Sequence, residues 1–108
     1  MSYYVILELD VHNPAPYIEH YAKVVGPIVE AAGGTYIVRA GEITNHEGDW
    51  LPGRLVILKW PDKATYETFH ASEAYQRIKH HRLDNVRSRV TGVEGYDGAG
   101  PPPVRAKT

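Results

Sequence analysis

The sequence predicts an α+β domain in the order β-α-β-β-α-β, a ferredoxin-like sandwich with a four-stranded antiparallel sheet and both helices on one face. Three observations predict it. Thr35 to Ala40 and Arg54 to Trp60 are short apolar runs rich in β-branched residues, bounded by Gly33-Gly34 and Pro61, and they read as two strands of one hairpin. Tyr3 to Asp10 alternates Val5, Leu7 and Leu9 against Tyr4, Ile6 and Glu8, as a strand with one apolar and one mixed face does. Two stretches with apolar residues at steps of three and four separate these strands from one another and from a last short strand, Ser88 to Glu94.

Each element has its own local reason. Asn13-Pro14 reads as a helix start, because Asn can cap an orphan amide and Pro loses nothing at the first helical position. The stripe of that helix is Tyr17, Tyr21, Val24, Ile28 and Ala31; Pro27 predicts a kink inside it, and Gly33-Gly34 supplies the stop. Tyr17 and Tyr21 read as core. Asp62 caps a second helix through Ala64 to Phe69, interrupted at His70-Ala71, after which Ser72 caps a continuation with the stripe Tyr75, Ile78, Leu83 and Val86. Beyond Gly95 the periodic pattern gives way to glycine and three prolines, so residues 1–95 are expected to form the domain and 96–108 a tail without a core of its own.

Composition narrows the function classes. At 108 residues the chain suits one domain with one core. With no cysteine it has no thiol nucleophile, disulfide or thiolate metal site. Its 12 basic and 13 acidic side chains form no basic stripe, which argues against nucleic acid as partner. Met1-Ser2 leads directly into a strand and no 18-residue apolar run follows, so a cytoplasmic protein without a membrane segment is expected. No phosphate loop, nucleophile elbow or dinucleotide fingerprint is present, and no metal or cofactor is expected. Helices cover only one side of such a sheet. The other side is expected to carry Tyr4, Ile6, Ile37, Val56 and Leu58, a larger apolar patch than monomers usually expose, so pairing of two sheets face to face in an isologous homodimer is expected.

The candidate site residues divide by position. Arg39, a guanidinium after Ile37 and Val38, reads as a fixed cation for a substrate carboxylate or enolate. Strict alternation puts it beside Ile37 on the outer face, so a place in the cleft requires a bulge or a shifted phase; the competing reading is an ion pair with Glu8 or Asp10. Trp50 and Arg54 bracket the end of the long Gly41–Gly53 connection and read as a pocket wall and a second anion contact, against a plain turn with Trp50 on Pro52 and Arg54 paired to Asp49. His70, at the helix interruption, is the candidate general base, with Tyr75 near it and Glu8 on the mixed strand face completing the substrate-binding set. His80 and Asp84, at i and i+4, read as a solvated helix face and not as metal ligands.

Together the spaced motifs Gly33-Gly34-Thr35-Tyr36, Val38-Arg39-Ala40-Gly41, Glu47-Gly48-Asp49-Trp50, Arg54-Leu55-Val56, Trp60-Pro61 and Ser72-Glu73-Ala74-Tyr75-Gln76 resemble the bacterial family catalogued as domain of unknown function number 1330. The resemblance spans about Tyr3 to Gly95. Ala40, where the family more often has glycine, and the His80-His81 pair depart from it. It implies the dimeric α/β-barrel superfamily, whose relatives include cofactor-free monooxygenases, lactone isomerases and haem-binding enzymes, and it implies fold and dimer more firmly than any reaction. Two function classes follow: a cofactor-independent isomerase or monooxygenase acting on a small organic acid or cyclic compound, and a non-catalytic module that binds a small molecule or a partner.

Overall fold

In a computed structural model the described residues are 1–101 and 104, and they form four strands and two helical segments. Strand β1 (Tyr3–Val11) leads into a helical segment made of α1 (Pro14–Tyr17), a π-helical turn (Ile18–Ala22) and α2 (Lys23–Ala31). Then come β2 (Thr35–Arg39), β3 (Arg54–Trp60), α3 (Lys63–Ala71), α4 (Glu73–Leu83) and β4 (Val86–Glu94). The strands lie in the order β2-β3-β1-β4, every neighbour antiparallel, which is the ferredoxin-like sheet. The last strand begins two residues earlier than its sequence pattern suggests, and Val86 belongs to it and not to the preceding helix.

The first helical segment corrects three expectations. Asn13 makes no side-chain cap. Pro27 lies inside regular α2, and the irregularity falls one turn earlier, in the π turn. That turn also moves the stripe. A π turn takes up an extra residue, so positions spaced by four stay on one face: Tyr17, Tyr21, Val25 and Val29 are buried, while Val24 is 40% exposed. The stop is as expected. Gly33, at φ 104°, donates to the Glu30 carbonyl and Gly34 to that of Val29, a Schellman closure. Gly34 has a second reason to be glycine, since a Cβ there would lie 2.8 Å from the Trp60 ring.

Asp62 caps α3 by accepting from the Thr65 amide at 2.7 Å, and Ser72 caps α4 by accepting from that of Tyr75 at 3.2 Å. On α4 the buried positions are Tyr75 and Arg82, with Ile78 half-buried; Leu83, expected in the core, is exposed. The core joins Val5, Leu7 and Leu9 of β1 to Val56, Leu58 and Trp60 of β3 beneath the helices.

This pairing corrects the expected outer face. Val56 and Leu58 stand opposite Leu7 and Val5, so both point to the helices. The outer face keeps the expected Tyr4, Ile6 and bulge residue Ile37 and carries Leu55 and Ile57 in place of Val56 and Leu58, with Ile37 and Val93 each 49% exposed. Among the described residues no helix is long and apolar enough to cross a membrane. Of the expected tail, Tyr96 is exposed, and Pro102 and Pro103 lie outside the described residues.

Candidate functional site

A cavity of about 460 Å³ opens between the inner sheet face and the helices. That lies within the ~300–1,000 Å³ of small-molecule sites. The bulge in β2 decides who faces it. Tyr36 pairs with Leu58, but Val38 pairs with Ile57, and the extra residue turns Arg39 to stand opposite inward-facing Val56. Strict alternation therefore fails at Ile37, and Arg39 lines the cavity. Ala40, immediately after, sits at φ 59°, a left-handed conformation that glycine adopts more readily.

Arg39 makes no ion pair with Glu8 or Asp10. Its Nη2 donates to the Ala22 carbonyl at 2.8 Å, and its guanidinium lies 4.3 Å from the centre of the Tyr36 ring. Ala22 ends the π turn. Pro27 has no N–H to offer the carbonyls four and five residues back, so the helix irregularity and the arginine contact meet at one place.

Arg54 lines the same cavity 5.9 Å from the Tyr17 ring, with its Nε buried and unpartnered, and the competing pair with Asp49 is not formed. His70 and Tyr75 are there too, their rings 5.6 Å apart. Burial pushes the His70 imidazole below its ordinary value of 6.5, and the nearby charges of Lys79 and Arg82 add to the effect. Neutral imidazole can accept a proton.

Trp50 and Glu8 lie elsewhere. Glu8 points to the outer face, where it accepts from Trp50 Nε1 at 3.0 Å and sits 3.6 Å from Arg89, so neither residue lines the cavity. The structure thus brings together Arg39, Arg54, His70 and Tyr75 and leaves out the other two. It also adds Arg82, Tyr21 and Tyr17. Arg82 follows Tyr75 and Ile78 at i+7 and i+4, so the helical period itself carries it to the buried face. Tyr21 and Tyr75 share a hydroxyl–hydroxyl hydrogen bond of 2.9 Å, and burial, then Tyr75, push the Tyr21 phenol upward, so it stays protonated. Among the described residues no Asp or Glu lines the cavity. Among the described residues no cluster of three or more His, Cys, Asp or Glu could hold a metal ion.

Residues 2–96 match the family model described as domain of unknown function DUF1330. The chain belongs to the DUF1330 family. No curated protein matches the chain. Among solved structures, a protein of unknown function from Rhodopseudomonas palustris is similar at TM-score 0.70 and 17% identity, over 89% of this chain and 83% of that one. SnoaB, a cofactor-independent oxygenase from Streptomyces nogalater, is similar at TM-score 0.64 and 13% identity, over 93% and 98%. An antibiotic biosynthesis monooxygenase is similar at TM-score 0.52 and 17% identity, over 87% and 98%. At these identities the likeness is one of fold.

The histidines of this DUF1330 chain predict a pH dependence. His81 is also held below 6.5, by burial and then by His80 and His20, whose ring centre is 5.0 Å away. Below about pH 6.5 the unfolded chain binds protons that the folded chain resists, so stability falls with pH there and levels off above. Urea midpoints between pH 7.5 and 5.5 are expected to decline on acidification, and less so in His70→Gln. A midpoint that rises on acidification contradicts this assignment.

Proposed function

We propose that this protein is a cofactor-independent enzyme of isomerase or oxygenase type, which binds a small cyclic organic acid in the cavity and removes a proton from it. The observation that carries the reading is His70, its proton affinity lowered by burial, facing a cavity whose charged groups are three arginines and a lysine and whose walls are tyrosine, phenylalanine and aliphatic side chains. His70 is the proton acceptor. The arginines favour the negative charge that develops on an enolate or phenolate as the C–H or O–H bond breaks. Returning the proton to another carbon completes an isomerisation; passing an electron from the anion to dioxygen begins an oxygenation. The fold shared with SnoaB supports the reading without deciding between them.

The subunit is read as one half of an isologous dimer, paired through the apolar outer sheet face. Native mass spectrometry of protein purified from its own cells is the test. A dimer carrying a discrete acidic small molecule is expected. That molecule, incubated with the protein in D2O, should exchange a proton, and His70→Gln should slow the exchange by about 10²–10⁴-fold. Retention of the acid with equal exchange in both proteins makes the chain a binding module instead.

A further inference from the structure

Among the described residues Arg82 is the one buried charged side chain, 4% exposed, and no carboxylate among them pairs with it. Its Nη1 donates to Ser88 Oγ at 2.5 Å and its Nη2 to the Tyr75 hydroxyl at 3.4 Å, while its Nε is buried with no acceptor. Burying a cation against neutral hydroxyls alone is costly. Tyr21 does not relieve it as a phenolate, since its proton is held more firmly than in water.

The sheet register makes the imbalance larger. Arg54, Leu9 and Ser88 form one row across β3, β1 and β4, so Arg54 and the hydroxyl that holds Arg82 flank the same inward leucine. At the spacing of neighbouring strands they stand roughly 10 Å apart. Arg39 pairs with Val56, two residues from Arg54 on the same face, a diagonal neighbour at about 7–8 Å. Arg39, Arg54 and the Ser88 that holds Arg82 therefore lie toward one end of the inner face, all three arginines line the cavity, and among the described residues no acidic side chain does. Aromatic rings line the same space: Tyr17 and Tyr21 stack at 5.7 Å, and Tyr75 meets Tyr21 edge-on at 6.2 Å.

We infer that the occupant of the cavity is an aromatic carboxylate, held with its carboxylate at the arginine end and its ring among the tyrosines, and that Arg82 is the residue that reads its charge. Arg82 lines the cavity, and a planar guanidinium suits a two-oxygen anion better than a neutral carbonyl. Binding supplies the counterion that the protein itself does not. This rests on the cavity being an organic-acid site, as proposed above.

The test is calorimetric titration with 2-naphthoate and its neutral counterpart 2-naphthamide. The acid is expected to bind at least tenfold more tightly; Arg82→Met should erase that preference and Arg82→Lys should retain part of it. Should Arg82→Met fail to fold, nitrogen-15 spectra of the wild-type protein answer the question, because the Arg82 Nε–H should shift with 2-naphthoate and stay in place with 2-naphthamide. Equal binding of acid and amide overturns the charge-reading role and leaves the cavity as a ligand site. An acid preference that survives intact in Arg82→Met overturns the assignment to Arg82. Binding of neither compound at millimolar concentration overturns the organic-acid site and this inference together.

Discussion

Trp60→Ala is expected to lower the stability of the folded chain by about 3–5 kcal/mol, the range for removing a buried aromatic ring. Trp60 has no exposed surface. Its ring lies 4.8 Å from that of Phe69 and 5.6 Å from that of Tyr66, so it is a central contact through which α3 rests on the sheet, beside that of Tyr3 with Tyr66. On its other side, the absence of a side chain at Gly34 lets the chain pass against the indole. Little around that space can move into it. Phe69 is tied to Tyr75 at 4.6 Å, and Gly34 is fixed by the helix stop. A domain of this size has a total stability of about 5–15 kcal/mol, so the substitution removes a large part of it. Trp60→Phe should cost less, because it keeps most of the ring and removes a buried Nε1–H that has no acceptor. Urea denaturation of both variants measures the difference. A loss under about 1 kcal/mol for Trp60→Ala contradicts the claim that this ring anchors α3.

The fold was legible because its signals are local and periodic. Alternation in Tyr3 to Asp10, the caps at Asp62 and Ser72 and the stop at Gly33 each follow from a few neighbouring residues, and all appear in the structure. What was not legible depended on breaks of period. The π turn at Ile18–Ala22 moved the first helical stripe from Val24 to Val25, and the bulge at Ile37 moved Arg39 from the outer face to the cavity. Neither leaves a composition signal, because both are decided by how the backbone meets another element. The phase of β3 is ambiguous in the sequence for a related reason. Arg54 to Trp60 is apolar on both faces except at Arg54 and Lys59, so alternation alone does not say whether Val56 faces helices or the outside. The site followed the same rule. His70 was visible from its place at a helix interruption, whereas Arg82 looked like one of several basic residues at a helix end, and only its spacing from Tyr75 marked it as buried.

Ile57→Asp is expected to convert the proposed dimer to monomers, weakening association by roughly a thousandfold or more, which corresponds to about 4 kcal/mol. Ile57 stands on the outer face opposite Ile6 of β1 on one side and Val38 of β2 on the other, so it lies in the middle of the apolar surface and not at its rim. In an isologous pair the same patch is used by both copies, and one substitution places two carboxylates in the interface. Each loses water there without gaining a partner, which is the costly form of a buried charge. The folded subunit should tolerate the change, because Ile57 is only half-buried within it and the core residues Val56 and Leu58 are untouched. Circular dichroism of the variant should therefore match the wild type while sedimentation velocity shows half the mass. Ala74→Asp, on the exposed side of α4, serves as the control and should remain a dimer. A wild-type chain that sediments as a monomer removes the pairing altogether. A dimeric Ile57→Asp places the interface elsewhere, and the outer sheet face would then need a different explanation for its exposed valine and isoleucine.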